Sequence, residues 1–183
     1  MRNESINWKN LYYAYSQIEE FMCENNIQRT FNPIKYCKDK GWHLIPYPEN
    51  NFNEFYKISK DGFSLCEENE YFIFYNPYHV DGRINFTIAH EIGHIYYLHH
   101  FLVPKKILLS SNNNNIWEKQ ANIFARNILM PPLECKTLVD KGYNLAKYYN
   151  FFGVSKQAMA VRRDLLHEDL RMFRISRDKF KSI

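Results

Sequence analysis

A chain of 183 residues, 45% hydrophobic and carrying 14 Tyr, 14 Phe and 3 Trp, can bury one compact core with a small appended unit and is too aromatic to stay disordered. No run of about 18 uncharged apolar residues occurs, which excludes a transmembrane helix. The opening residues MRNESINWKN lack the apolar stretch of a secretory signal, so a cytoplasmic protein is expected. The net charge of +4 is uneven: residues 156–183 hold eight basic and four acidic side chains, and the rest of the chain is balanced. Such a segment reads first as a solvated helix face and second as a contact for nucleic acid. Cys23, Cys37, Cys66 and Cys135 form no Cys-x-x-Cys pair. They indicate neither a disulfide framework nor a thiolate metal site, and read as small buried apolar residues.

In chain order, residues 7–26 place Trp8, Leu11, Tyr12, Tyr15, Ile18 and Met22 at helical spacing. A short helix follows Asn32-Pro33 and stops at Gly41. From Trp42 the pattern turns strand-like, with WHLIPY, FYKIS, GFSLCE and YFIFYN predicting three or four antiparallel strands and Asp61-Gly62 a hairpin turn. Residues 83–101 read as a helix, and the polar stretch Ser110–Asn115 as a loop. A second strong helix covers 116–130 and is stopped by Pro131-Pro132, with shorter helices at 133–140, 144–151 and 156–168. Strands first and helices after make an α+β fold: a small antiparallel sheet followed by a helical core. Three units are expected: N-terminal helices over 1–41, a core over 42–140, and a C-terminal helical segment over 141–183.

Chemistry concentrates in AHEIGH. His90 and His94, at i and i+4 of a helix, share one face about 6 Å apart, so both imidazoles can reach one ion. Glu91 is turned away from that line, close enough to touch a water on the ion. This arrangement suits metal-assisted hydrolysis, in which the carboxylate takes the water's proton. Two residues compete to be the third ligand. His100 stands six residues after His94, where one class of zinc proteases places a third His, but that class needs Gly where this chain has Tyr97. On an unbroken helix His100 would lie about 9 Å further along the axis. Glu118, on the next helix, could instead face the middle of the first. Its alternative role is to complete a capping box with Asn115. Asn122, one turn beyond Glu118, could accept a hydrogen bond from a ligand imidazole. Ala89, Gly93, Ala121 and Ala125 would let the two helices approach closely.

HEIGH (90–94) followed by EKQANIFARNILMP (118–131), together with FTIAHEIGH (86–94) and YFIFYNP before it, resembles the ImmA/IrrE family of zinc metallopeptidases over roughly residues 60–165. The resemblance implies His90, His94 and Glu118 as zinc ligands, Glu91 as general base and a gluzincin-like helix pair. It also implies a role in mobile genetic elements, with a helix-turn-helix repressor as protein substrate. Asn122 stands where the wider gluzincin class often has Asp.

The segment 144–166 has the spacing of a helix-turn-helix around Gly153-Val154-Ser155, and Arg162 and Arg163 could meet phosphates. The resemblance implies instead that a Val-Ser segment packs beside the core, and packing is the favoured reading. The rival function is a DNA-binding regulator whose zinc site is structural or vestigial, although a structural site takes four protein ligands and three are visible. An oxyanion donor is required; His79, Tyr143 and Tyr148 are candidates among which the sequence does not choose.

Overall fold

The computed structural model describes residues 8–102 and 116–180, with side chains over 11–102 and 116–176. The expected loop at Ser110–Asn115, and with it any cap from Asn115, lies outside these residues.

The first helix, α1 (Trp8–Glu24), buries Leu11, Ala14, Tyr15, Ile18 and Phe21, a stripe at three- and four-residue spacing. Helix α2 (Pro33–Asp39) begins as the sequence predicts. Asn32 caps it by accepting from the Lys35 N–H at 2.9 Å, Pro33 fills the first turn, and Gly41 follows at φ 71°.

The sheet departs from expectation. Strands β1 (His43–Pro46), β2 (Gly62–Glu67) and β3 (Glu70–Tyr75) lie in the order β1-β3-β2. β2 and β3 are antiparallel, but β1 runs parallel to β3, so the sheet is mixed. The hairpin turns at Glu68-Asn69, both left-handed at φ 52° and 65°, and not at Asp61-Gly62, which opens β2. FYKIS is no strand: Phe52–Ile58 form α3, after a 3₁₀ turn at Glu49–Asn51. Its Phe52, Phe55 and Tyr56 repeat at helical spacing, and Phe55 packs over Tyr47 and Phe74 at ring separations of 5.4 Å. The opposite sheet face turns Ile73 into the main core, and Ser64, paired with Ile73, shares that face.

Helix α4 (Asp81–Tyr96) crosses that face and carries AHEIGH. It ends sooner than the sequence suggests, at Tyr96. Leu98 takes a left-handed φ of 57° and a short helix, α5 (His99–Leu102), leads off in a new direction. Helix α6 (Ile116–Leu129) packs along α4. The small residues expected at this contact are buried there: a Cβ on Gly93 would sit 3.2 Å from the Ala121 Cα and 3.1 Å from the Phe124 ring.

Pro131 and Pro132 stop α6 and start α7 (Pro132–Asp140). The helix expected at 144–151 is a single 3₁₀ turn, Leu145–Lys147, and the last helix is longer than expected, α8 (Lys156–Phe180). The turn before α8 docks on the start of α4. A Cβ on Gly82 would strike the Val154 carbonyl carbon at 2.3 Å, and Asn85 Nδ2 donates to the Gly153 carbonyl at 2.8 Å. The Val-Ser segment therefore packs beside the helix that carries the histidines. Arg162, proposed above as a phosphate contact, is fully buried, ion-paired with Asp169 and bonded to Asn127 Oδ1 at 3.2 Å. Arg163 pairs with its neighbour Asp164 at 2.8 Å. All four cysteines are free, but Cys23 is exposed and Cys66 half-buried, so only Cys37 and Cys135 are the expected buried residues. No described helix is long and apolar enough to cross a membrane.

Candidate metal centre

One turn of α4 puts His90 and His94 on the face that meets α6, and Glu118 lies on the first turn of α6, across from them. The structure brings the three together. His90 Nε2 and His94 Nε2 are 3.1 Å apart, and Glu118 reaches His90 Nε2 with Oε2 and His94 Nε2 with Oε1, each at 3.3 Å. Glu118 thus faces the histidines.

The partners behind the two rings dictate which nitrogen carries the proton. His90 Nδ1 donates to Asn122 Oδ1 at 3.1 Å, the hydrogen bond that the spacing of Glu118 and Asn122 suggested. His94 Nδ1 is 2.9 Å from His99 Nδ1, and His99 Nε2 is 3.2 Å from Gln120 Oε1. The Gln120 oxygen accepts, so His99 carries its proton on Nε2, offers its Nδ1 lone pair and receives the Nδ1 proton of His94. Burial, with the neighbouring His94 next, pushes the His99 pKa down to about 3, which keeps this ring neutral and accepting. Both Nδ1 protons being engaged, the two Nε2 lone pairs and a carboxylate converge on one point.

Three acceptors aimed at each other repel unless a cation lies among them. The titration of the group agrees. Burial pushes Glu118 up, but the hydrogen bonds that His90 and His94 donate to it once protonated on Nε2 more than offset this and hold it well below the ordinary carboxylate range. Burial pulls His90 down, yet the bond to Glu118 and the charge of Glu91 raise it overall. The group favours positive charge at its centre. Two imidazole nitrogens 3.1 Å apart, with a carboxylate that sets one oxygen 3.3 Å from each of them, match the donor types of a tetrahedral zinc ion, and one ligand atom from each of the three residues lies within 4.8 Å of the others. Among the described residues this is the group of His, Cys, Asp and Glu side chains that could hold a metal ion.

Glu91, next to His90 in sequence, does not join the three. It is 6% exposed, and its Oε2 accepts from Ser64 Oγ at 2.6 Å. His100 does not reach the triad either; it bonds Ser64 Oγ through Nε2 at 3.0 Å. All of these groups line one open cleft of about 680 Å³, whose far wall is built from α3, the start of β2 and Lys60. His79, Tyr143 and Tyr148 do not line it: His79 pairs with Asp61 at 2.8 Å, and the two tyrosine rings pack on each other at 5.7 Å.

Sequence reasoning missed His99, Gln120 and Ser64. Gln120 lies two residues from Glu118 and Asn122, with nothing in its spacing to mark it. His99 and His100 reach their partners only because the chain turns at Leu98, and neither Gly nor Pro announces that turn.

The sequence profile of the peptidase M78 family, described as the IrrE N-terminal-like domain, matches residues 43–163, from the first residue of β1 into α8. No curated protein matches the chain.

Proposed function

The chain belongs to the peptidase M78 family, the IrrE N-terminal-like domain, and from that premise we propose that it is a zinc-dependent endopeptidase whose substrate is a helix-turn-helix repressor of a phage or mobile element. The observation that carries the reading is the convergence of His90 Nε2, His94 Nε2 and Glu118 at 3.1–3.3 Å beside a carboxylate, Glu91, that is not part of the group. Three protein ligands leave a coordination position open, as catalytic zinc sites do and four-ligand structural sites do not.

In this reading His90, His94 and Glu118 hold the ion, with Asn122 and His99 orienting the rings. A zinc ion held there would supply Lewis acidity, lowering the pKa of a water to about 7 so that a carboxylate can take its proton near neutral pH. Glu91 accepts that proton as the peptide carbonyl is attacked and returns it to the leaving amine nitrogen. β2 is an edge strand of the sheet, and its Gly62, Phe63 and Ser64 line the cleft, so an extended substrate segment can lie along it. The repressor as substrate rests on the resemblance to ImmA/IrrE proteins. Against the regulator alternative stands the burial of Arg162, which removes one of the two phosphate contacts the C-terminal sequence offered, while Arg163 stays exposed beside Asp164.

Mixing the protein with a repressor encoded beside it tests the proposal. Cleavage should require zinc, be abolished by a chelator and be lost in Glu91→Gln, which should still bind about one zinc per chain. Normal cleavage by Glu91→Gln would remove Glu91 from the mechanism, and unchanged metal content in Glu118→Ala would remove Glu118 from the site. Tight, strongly salt-dependent binding of duplex DNA without proteolysis would favour the regulator.

A further inference from the structure

Ser64 Oγ lies between two groups, 2.6 Å from Glu91 Oε2 and 3.0 Å from His100 Nε2. A hydroxyl has one proton to give, and an ionised carboxylate can only accept. Ser64 therefore donates to Glu91, and its oxygen is left to accept from His100. That requires the His100 proton to be on Nε2 and its Nδ1 to be bare. The environment of Nδ1 agrees: the atom is buried and has no hydrogen-bond partner among the described residues. The opposite tautomer would bury an unpaired N–H and set Ser64 between two competing acceptors.

Two features of the fold create this chain. Register places Ser64 on the sheet face turned toward α4, where Glu91 is. The left-handed Leu98, at φ 57°, ends the direction of α4 and lets His100 turn back to the sheet, where Tyr71 flanks its ring at 6.3 Å.

We propose that Ser64 and His100 are positioning residues that fix the carboxylate of Glu91 through a one-way chain, His100 to Ser64 to Glu91. This rests on the reading of Glu91 as general base. Oε2 is occupied by the Ser64 proton, so Oε1 is the oxygen that takes the water's proton and passes it to the leaving amine. The chain also insulates that proton. Ser64 could relay a proton onward only if His100 Nε2 were bare, and it is not. The proton taken by Glu91 stays there for the leaving amine.

The test has two arms on the full-length protein. Two-bond proton–nitrogen spectra of ¹⁵N-histidine-labelled protein, recorded with and without zinc and assigned through the signals missing from His100→Gln, should show His100 as the Nε2–H tautomer. An Nδ1–H tautomer overturns the proposal. In the second arm, hydrolysis of the repressor encoded beside the protein should show kcat lowered about tenfold or more in Ser64→Ala and in His100→Leu, with KM and bound zinc unchanged. His100→Gln keeps an N–H donor and should recover most of the loss. Wild-type kcat in Ser64→Ala or His100→Leu, or a loss in His100→Gln as deep as in His100→Leu, overturns it. Should the wild-type protein cleave nothing, the peptidase reading falls while the spectra still decide the hydrogen-bond chain.

Discussion

His94 presents its Nε2 lone pair when its proton sits on Nδ1, and His99, 2.9 Å away, favours that tautomer by accepting the proton's hydrogen bond. The His99 ring is buried against Tyr97 and Trp117, with centroids 5.4 and 5.0 Å away, so Phe can replace it with little change in packing. His99→Phe should therefore fold normally and weaken zinc binding about 10- to 100-fold, the usual cost of losing the partner behind a ligand imidazole. Competition against a chelator indicator measures this; an unchanged zinc affinity would show that His94 needs no help from His99. At this scale the sequence was readable where spacing alone decides contact. The i, i+4 histidines and the Glu118–Asn122 pair are fixed by helix geometry once two helices face each other. His99, His100 and Ser64 were not readable, because their meeting depends on one backbone angle at Leu98 and on which face of a strand turns inward.

The pairing of α4 with α6 sets the distance across which the two histidines and Glu118 meet, and Gly93 sets that pairing. An added Cβ would lie 3.1–3.2 Å from Phe124 and from the Ala121 backbone, tight but adjustable by a few tenths of an ångström. Gly93→Ala also gains about 1 kcal/mol of helix propensity, so its two effects oppose. Gly93→Val adds bulk without that compensation and should cost about 1–3 kcal/mol while also lowering zinc affinity, because the ligands ride on the separated helices. Chemical denaturation with and without zinc reads both; a variant destabilised but binding zinc as tightly as the wild type would show that the site tolerates the helix shift. Elements with caps and long apolar stripes, such as α1, α2 and α6, were legible. α3 was not, because Phe55 and Tyr56 look like strand residues until their spacing to Phe52 is counted. The parallel pairing of β1 with β3 was illegible for a different reason: strand order depends on where the chain returns after α3, and no local residue encodes that.

Across the whole molecule, the C-terminal helix is fastened by a buried polar knot and not by apolar contact alone. Asp169 of α8 accepts two hydrogen bonds from Arg126 of α6, each at 2.8 Å, and is also bonded by Arg162 and by the Tyr15 hydroxyl of α1. Burial, with Asp169 next, pushes the Tyr15 phenol far up, so it stays a donor. Removing the carboxylate would leave two arginines without their shared counter-charge, and Asp169→Ala should lose about 3–5 kcal/mol of stability, as broken buried pairs do. The pH dependence follows from the sign of the shift. Burial raises the Asp169 pKa, but the bond from Arg126 and the charges of Arg126 and Arg162 outweigh it, so the folded value lies below the usual one. Its contribution is therefore complete above the unfolded pKa of about 3.9 and is lost as pH falls through the lower folded value. Urea midpoints at pH 7, 5 and 3 should show wild type well above Asp169→Asn at the first two and the gap narrowing at the third. A gap that stays constant down to pH 3 would mean that the knot holds its geometry without the charge on Asp169.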